Sequence, residues 1–113
     1  MYEITIIEDN YALNNGIALA LKNYDYNITQ IYKLIEFDKN RKTDLIILDI
    51  NLPDGNGFDF LKQLRTYSDV SVIILTANDL ETDEVMGLEL GADDYITKPF
   101  SLMVLRLRIE KVL

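Results

Sequence analysis

The hydrophobic positions of this chain fall into short, dense runs separated by longer amphipathic segments. In the most prominent run, residues 45–48, four apolar residues in a row lead into Asp49, and Pro53 and Gly55 then turn the chain. Such a short unbroken run is typical of a strand buried on both faces, as in the middle of a parallel sheet. We therefore expect Asp49 at the carboxyl end of a central strand, where open α/β sheets bind their ligands.

Strands and helices are predicted to alternate along the whole chain. Apolar runs predict strands at residues 4–7, 27–31, 45–48, 70–75 and 94–97. Helical spacing of apolar residues predicts helices at residues 11–22, 34–42, 58–65, 80–90 and 101–113. Asn10 and Ser101 are suitable N-caps, and Gly91 is a suitable C-terminal stop. This alternation favours right-handed crossovers and a parallel sheet, so the predicted fold class is α/β.

Composition narrows the possible functions. The chain has 113 residues, which fits one domain, and its net charge of −8 argues against direct binding to nucleic acid or anionic lipid. It has no cysteine, which fits a reducing cytoplasm, and no histidine, the usual neutral-pH base. We see no signal peptide and no apolar run long enough to cross a membrane, so we expect a cytoplasmic protein without membrane contact.

The predicted strands end in residues of definite chemistry. These are Glu8 and Asp9, Asp49, Thr76, and Lys98. The carboxyl ends of parallel strands meet at one edge of a sheet, so the sequence predicts that these side chains converge. Polar loop residues commonly follow strands, and for any single strand that explanation is the better one. It does not account for three carboxylates, a hydroxyl and a cation together.

The chemistry of this set points to phosphoryl transfer. Three neighbouring carboxylates repel each other unless a hard cation such as Mg²⁺ compensates. Lys98 adds a further positive charge, which suits a site that receives one more anion. A phosphoryl group could accept a hydrogen bond from Thr76, and Asp49 is placed to act as nucleophile and become an aspartyl phosphate.

Four segments together resemble the receiver domain of two-component response regulators over essentially the whole length of the chain. They are residues 6–10, 48–57, 74–77 and 91–100. The resemblance implies a flavodoxin-like (βα)5 three-layer sandwich with a five-stranded parallel sheet of order 2-1-3-4-5. It also implies a phosphorylation-activated switch that takes its phosphoryl group from a sensor histidine kinase.

The resemblance further implies roles for individual residues. Asp49 would be the phosphoacceptor, and Mg²⁺ would be held by Asp9, Asp49 and the backbone carbonyl of Asn51, with Glu8 nearby. Lys98 would bind the phosphoryl group, and the Lys98–Pro99 peptide bond would be cis. Thr76 and Tyr95 would form the switch pair: the phosphoryl group draws in the Thr76 hydroxyl, and the vacated space admits the Tyr95 ring.

Residues 91–95 and 98–100 are most similar to the OmpR/PhoB subfamily of transcription factors. That subfamily forms homodimers through a face that it labels α4-β5-α5. In this chain the corresponding elements are the predicted helix 80–90, strand 94–97 and helix 101–113. Asp94 and Arg108 match one of the ion pairs between subunits in such dimers. Glu84 and Val104 depart from a second pair, so that pair would be absent. In that subfamily DNA is bound through a C-terminal domain, which this chain lacks. Residues 1–113 are therefore expected to be the receiver part of a longer regulator. A free-standing receiver is the alternative.

Two surfaces near the predicted site also bear on function. The outward face of the first helix, where the family docks its kinase, is expected to comprise Tyr11, Asn14, Asn15 and Ala18. Asn51 and Asn78 are expected to flank the phosphoryl group, and Asn78 stands where the subfamily more often has a basic residue. The phosphoryl lifetime and the cognate kinase therefore do not follow from the resemblance.

Two other functions compete with this reading. Haloacid-dehalogenase-type phosphatases also use an Asp nucleophile, a hydroxyl, a Lys and Mg²⁺, but they place a second Asp two residues after the nucleophile, where this chain has Asn51. A non-phosphorylated interaction module on the same fold would be expected to lose Asp49, Lys98 or one of the acidic pair, and all of these are present.

Overall fold

A computed structural model describes residues 1–22 and 24–113. Within them, five parallel strands form the main sheet: β1 (Tyr2–Ile7), β2 (Tyr26–Ile31), β3 (Leu45–Leu48), β4 (Ser71–Thr76) and β5 (Asp94–Thr97). The same part of the chain forms four α-helices: α1 (Tyr11–Leu21), α2 (Gly57–Leu64), α3 (Glu81–Glu89) and α4 (Leu102–Val112). The strand order is β2-β1-β3-β4-β5, which confirms the predicted α/β class and sheet topology.

The sheet separates two hydrophobic cores, because successive side chains of a strand point to opposite faces. On one face, Ile46, Leu48 and Ile74 pack with Phe58 and Leu61 of α2. On the other face, the alternate strand residues pack with α1 and α4, and this core consists of Ile4, Ile6, Ile17, Leu21, Leu45, Ile47, Ile73, Leu75, Ile96, Leu105 and Ile109. The result is the three-layer arrangement expected for strands buried on both sides.

The predicted helix over residues 34–42 is wrong. The chain forms only a short 3₁₀ turn, Leu34–Glu36, followed by irregular structure. The carboxylate of Asp54 accepts hydrogen bonds from the backbone N–H groups of Leu34 and Ile35, both at 2.9 Å, and these bonds lower the pKa of Asp54. Asp38 then accepts from the N–H of Asn40 at 2.9 Å, a local contact that competes with helical hydrogen bonding. The (βα)5 prediction is therefore corrected at its second helix, and the predicted helices 80–90 and 101–113 correspond to α3 and α4.

The segment after β3 folds back tightly onto the end of that strand. Residues Asn51–Leu52 and Gly55–Asn56 pair as a small antiparallel hairpin, and the side chain of Asn56 caps α2. A Cβ at Gly57 would lie 2.5 Å from the carbonyl oxygen of Asp49 and 2.8 Å from the Cα of Ile50. Glycine at this position is therefore what allows helix α2 to start directly against the strand end that carries Asp49.

The described residues contain no helix with the length and apolarity needed to cross a membrane.

Candidate functional site

The acidic side chains predicted to converge do so at the carboxyl ends of β1 and β3. Ile7 of β1 is paired with Leu48 of β3, so the residues that follow them, Glu8 and Asp49, are neighbours. One carboxylate oxygen each from Glu8, Asp9 and Asp49 lies within 4.8 Å of the others. Glu8 is 3% exposed and Asp49 is 5% exposed, whereas Asp9 is open to solvent. The cluster therefore has a buried side and a side that a ligand can approach.

Lys98 completes this cluster from the end of β5. Its ammonium nitrogen lies 2.6 Å from Oε1 of Glu8 and 3.0 Å from Oδ2 of Asp49. Burial alone would lower the pKa of Lys98, but the hydrogen bonds to Glu8 and Asp49 outweigh burial and raise it. Lys98 is therefore a fixed positive charge beside the carboxylate of Asp49.

Glu8 behaves differently from an ordinary surface carboxylate. Burial raises the pKa of Glu8 to about 7, and the nearby charge of Asp49 raises it too, while Lys98 and the Asn10 N–H lower it. The raised pKa of Lys98 favours a fully charged pair, whereas the raised pKa of Glu8 favours a protonated carboxyl. We take Lys98 as charged and Glu8 as a group that gains a proton easily, because only Glu8 is almost fully removed from water.

The carboxylate of Asp49 is held in one orientation. Oδ1 accepts hydrogen bonds from the backbone N–H groups of Ile50, at 2.7 Å, and Asn51, at 3.4 Å, and Oδ2 accepts from Lys98. The side chain of Asn51 points instead toward the end of β4, where its Nδ2 donates to Oδ1 of Asn78 at 2.7 Å.

Thr76 and Tyr95 lie on the neighbouring strands β4 and β5. Thr76 is fully buried at the end of β4, and its hydroxyl oxygen accepts from the N–H of Asn78 at 3.4 Å. Tyr95 is 7% exposed, and its hydroxyl donates to the carbonyl oxygen of Asn78 at 2.8 Å. Burial, with the charges of Asp83 and Glu84 adding to it, raises the pKa of Tyr95 to about 12. The ring of Tyr95 is thus inside the protein in this structure.

The remaining predicted residues lie on the β5 and α4 side of the molecule. The Lys98–Pro99 peptide bond is cis. Arg108 of α4 donates to Oδ2 of Asp94 at 2.7 Å within the same chain, and this bond raises the pKa of Arg108. Met103, Val104 and Leu107 are exposed on the same helix.

Asn14 differs from its expected place on the outward face of the first helix. It is fully buried, and its Nδ2 donates to the carbonyl oxygens of Glu8, at 2.9 Å, and Ile31, at 3.0 Å. It therefore ties the ends of β1 and β2 together and supports the backbone that carries Glu8. The spacing contained the signal for this, because position 14 precedes the buried Ile17 and Leu21 by three and seven residues.

The donor set of this site suits a magnesium ion. Glu8, Asp9 and Asp49 supply hard carboxylate oxygens from two strand ends, and Mg²⁺ is usually held by one or two carboxylates with water completing its shell. Buried carboxylates this close together need a compensating charge, which Lys98 supplies only in part.

The chain belongs to the response regulator receiver domain family, which matches residues 4–110. Receiver domains are the phosphorylation-activated switch modules of two-component response regulators, and they are not turnover enzymes. Among full-length relatives, the sensory transduction protein RegX3 of Mycobacterium tuberculosis is 44% identical over 117 residues, covering 100% of this chain and 51% of RegX3. The KDP operon transcriptional regulatory protein KdpE of Escherichia coli is 38% identical, with 100% of this chain and 52% of KdpE covered. The chain therefore spans about half the length of these relatives.

Solved structures show the same fold. The non-phosphorylated receiver domain of HemR from Leptospira biflexa matches with a TM-score of 0.92 at 31% identity, covering 99% of this chain and 94% of that chain. The BeF3-activated receiver domain of DrrB matches with a TM-score of 0.91 at 25% identity, covering 99% of this chain and 97% of that chain. One of these structures is non-phosphorylated and the other is activated, so the architecture of this chain is common to both states.

Proposed function

We propose that Asp49 is the residue through which this receiver domain works, and that it accepts a phosphoryl group from a sensor histidine kinase. The observation that carries this proposal is the contact between Lys98 and Asp49 inside the acidic cluster. A lysine at 3.0 Å from one carboxylate oxygen, with the other oxygen fixed by backbone N–H groups, orients Asp49 for attack on phosphorus.

In the proposed reaction a carboxylate oxygen of Asp49 forms a bond to the phosphorus of a phosphohistidine. The bond between phosphorus and the imidazole nitrogen breaks, and its electron pair stays on that nitrogen, which takes a proton from solvent. The product is an aspartyl phosphate on this chain and a free histidine on the kinase. Lys98 neutralises charge on the phosphoryl oxygens throughout, and Thr76 donates a hydrogen bond to one of them.

The residues that would hold Mg²⁺ are Asp9, Asp49 and the backbone carbonyl of Asn51, with Glu8 close by. When bound, the ion neutralises the negative charge that gathers around the transferred phosphoryl group. The same arrangement would allow slow hydrolysis of the aspartyl phosphate by water, so we propose that the domain can also dephosphorylate itself.

The response would travel from the site to the surface formed by α3, β5 and α4. A phosphoryl group on Asp49 adds negative charge, and hydrogen bonding to it would hold Thr76 toward the site. This favours the position of Tyr95 inside the protein, which in turn selects one arrangement of the α3-β5-α4 surface. We propose that this surface then forms a homodimer in which Asp94 and Arg108 take part.

The output would be transcriptional. Because the relative KdpE is a transcriptional regulatory protein of about twice the length of this chain, we propose that a C-terminal DNA-binding domain of the full-length protein carries that output. We propose a cytoplasmic location and no membrane contact for the regulator. The net charge of −8 fits a receiver that leaves DNA contact to another domain.

The proposal is tested by incubating the chain with Mg²⁺ and acetyl phosphate and measuring its intact mass. We expect a stable gain of one phosphoryl group, lost in Asp49→Ala and retained in Asp59→Asn, an exposed carboxylate on α2. Catalytic release of inorganic phosphate, with no stable modification accumulating on the chain, would instead support the phosphatase alternative. No modification of the unaltered chain would support a non-phosphorylated module.

A further inference from the structure

Two asparagine side chains join the loops that follow β3 and β4. Nδ2 of Asn51 donates to Oδ1 of Asn78 at 2.7 Å. Asn51 lies two positions after Asp49, and Asn78 lies two positions after Thr76. Asp49 and Thr76 are buried, whereas Asn51 is exposed and Asn78 is half-buried. The contact between the two amides therefore lies on the solvent side of the phosphoacceptor site.

The main chain of Asn78 contacts both members of the switch pair. Its N–H donates to the hydroxyl oxygen of Thr76 at 3.4 Å, and its carbonyl oxygen accepts from the hydroxyl of Tyr95 at 2.8 Å. The side chain of the same residue holds Asn51. Asn78 thus connects the loop after Asp49, the end of β4, and the tyrosine of β5.

We propose that the Asn51–Asn78 amide contact is a latch that fixes the carbonyl of Asn78 and so holds Tyr95 inside the protein before phosphorylation. Asn78 is then a positioning residue, because it acts on the output surface only through Tyr95. The inference rests on the switch function proposed above. It adds that the Asn51–Asn78 pair determines the fraction of unphosphorylated molecules in which Tyr95 is buried.

The Asn51–Asn78 contact requires a matched donor and acceptor. The bond needs a donor at position 51 and an acceptor at position 78, and asparagine supplies both groups. Alanine at either position supplies neither group, so either substitution removes the contact.

The Tyr95 ring provides a direct readout of the latch. The chain has seven tyrosines, so 3-fluorotyrosine labelling gives a fluorine spectrum in which Tyr95→Phe identifies the Tyr95 signal. Relaxation of that signal by a soluble gadolinium chelate then measures how often the ring is exposed in the unphosphorylated protein. This population can be read whether or not the protein accepts a phosphoryl group.

We expect Asn51→Ala and Asn78→Ala each to raise the exposed population of Tyr95 by roughly two- to tenfold, the effect of losing one hydrogen bond. The double variant should change no more than either single variant, because both substitutions break the same contact. Asn40→Ala, an exposed asparagine in a turn of the irregular segment, is the matched control and should leave Tyr95 unchanged.

Two results would overturn the latch: unchanged Tyr95 relaxation in both single variants, or additive effects in the double variant. If Asn78→Ala fails to fold, Asn51→Ala tests the same contact from its exposed side. Treatment of the same samples with acetyl phosphate and Mg²⁺ tests the proposed function separately from the latch. Failure of the unaltered chain to take up phosphate would refute the proposed function, whereas normal uptake with an unchanged Tyr95 signal in the variants would refute only the latch.

Discussion

The ammonium nitrogen of Lys98 lies 3.0 Å from Oδ2 of Asp49, although 49 positions separate the two residues in the chain. The contact exists because β3 and β5 run in the same direction on either side of β4, so both strands end at the same edge of the sheet. It joins a phosphoacceptor candidate to a cation that is itself held by Glu8 at 2.6 Å.

Replacing Lys98 with methionine should slow phosphorylation of Asp49. The substitution keeps most of the length of the side chain but removes the charge that stabilises the transferred phosphoryl group, a loss worth about 10²–10³ in rate for one such donor. The rate of modification by acetyl phosphate in excess Mg²⁺, followed by intact mass, measures the effect. Lys62→Met on the exposed side of α2 is the control, and equal rates in the two variants would contradict the role of Lys98.

Glu8 should make the stability of the magnesium-free protein depend on pH near neutrality. The folded-state pKa of Glu8 is raised to about 7 from its ordinary value of 4.5, so between these two pH values the folded state holds a proton that the unfolded state has lost. Stability should therefore fall as pH rises from about 4.5 to about 7 and then level off. Urea unfolding of the unaltered chain and of Glu8→Gln, with chelator present, measures the difference.

Since glutamine cannot titrate, the stability difference between Glu8→Gln and the unaltered chain should grow in favour of the variant across that interval. Added Mg²⁺ should reverse the trend for the unaltered chain, because a ligand that binds only the folded state stabilises it by mass action. A constant difference from pH 5 to pH 8 would show that Glu8 is already ionised at the lower pH.

Gly87 of α3 should limit how Tyr95 sits inside the protein. A Cβ at position 87 would lie 2.8 Å from Cδ1 of Ile74 and 3.0 Å from Cδ2 of Tyr95, so Gly87→Ala must displace one of these side chains. Overpacking of this kind costs about 1–3 kcal/mol, which exceeds the gain of up to about 1 kcal/mol from the better helix former. We expect a lower melting temperature and a more exposed Tyr95 ring.

Gly16→Ala in α1 is the control for Gly87→Ala. A Cβ there would meet no atom within 4 Å, so Gly16→Ala should gain about 0.5–1 kcal/mol of stability. Combining Gly87→Ala with Tyr95→Ala should relieve the contact with the tyrosine ring but leave the one with Ile74. If Gly87→Ala is instead stabilising and leaves the ring in place, Gly87 has no part in positioning Tyr95.

Arg108 should matter for the dimer of the phosphorylated domain. In the single chain it pairs with Asp94 on an exposed surface, and such pairs add little to folding. If the arginine turns to Asp94 of a second molecule after phosphorylation, Arg108→Ala should raise the dissociation constant of the dimer severalfold while leaving the melting temperature nearly unchanged. Sedimentation velocity of beryllofluoride-treated protein measures the dissociation constant of the dimer.

Arg106→Ala serves as the comparison for Arg108→Ala. Arg106 is on the same helix but pairs with Glu110 and lies over the ring of Tyr24, away from Asp94. Arg106→Ala should therefore leave the dissociation constant of the dimer unchanged. Equal dissociation constants for the two variants would mean that the ion pair between Asp94 and Arg108 stays within one chain.

The sequence alone predicted the sheet, three crossover helices and the α4 helix, because apolar runs indicate the strands, and helical spacing or terminal residues such as Asn10, Gly91 and Ser101 indicate the helices. It also predicted that Glu8, Asp9, Asp49 and Lys98 converge, since parallel strand ends share an edge. The helix over residues 34–42 was not rejected from its own pattern, because two of the competing hydrogen bonds come from Asp54, which lies outside the segment. The contact between Asn51 and Asn78 likewise depends on side-chain directions that spacing does not encode.

Strand β5 places its consecutive residues Tyr95 and Ile96 in different cores, one beneath α2 and α3 and the other beneath α1 and α4. A rearrangement around the tyrosine can therefore be confined to one side of the sheet. The opposite half, which shares no side chains with it, can keep the molecule folded while the first half changes shape. With two separate hydrophobic cores, a small domain can stay folded on one side of its sheet while it changes conformation on the other.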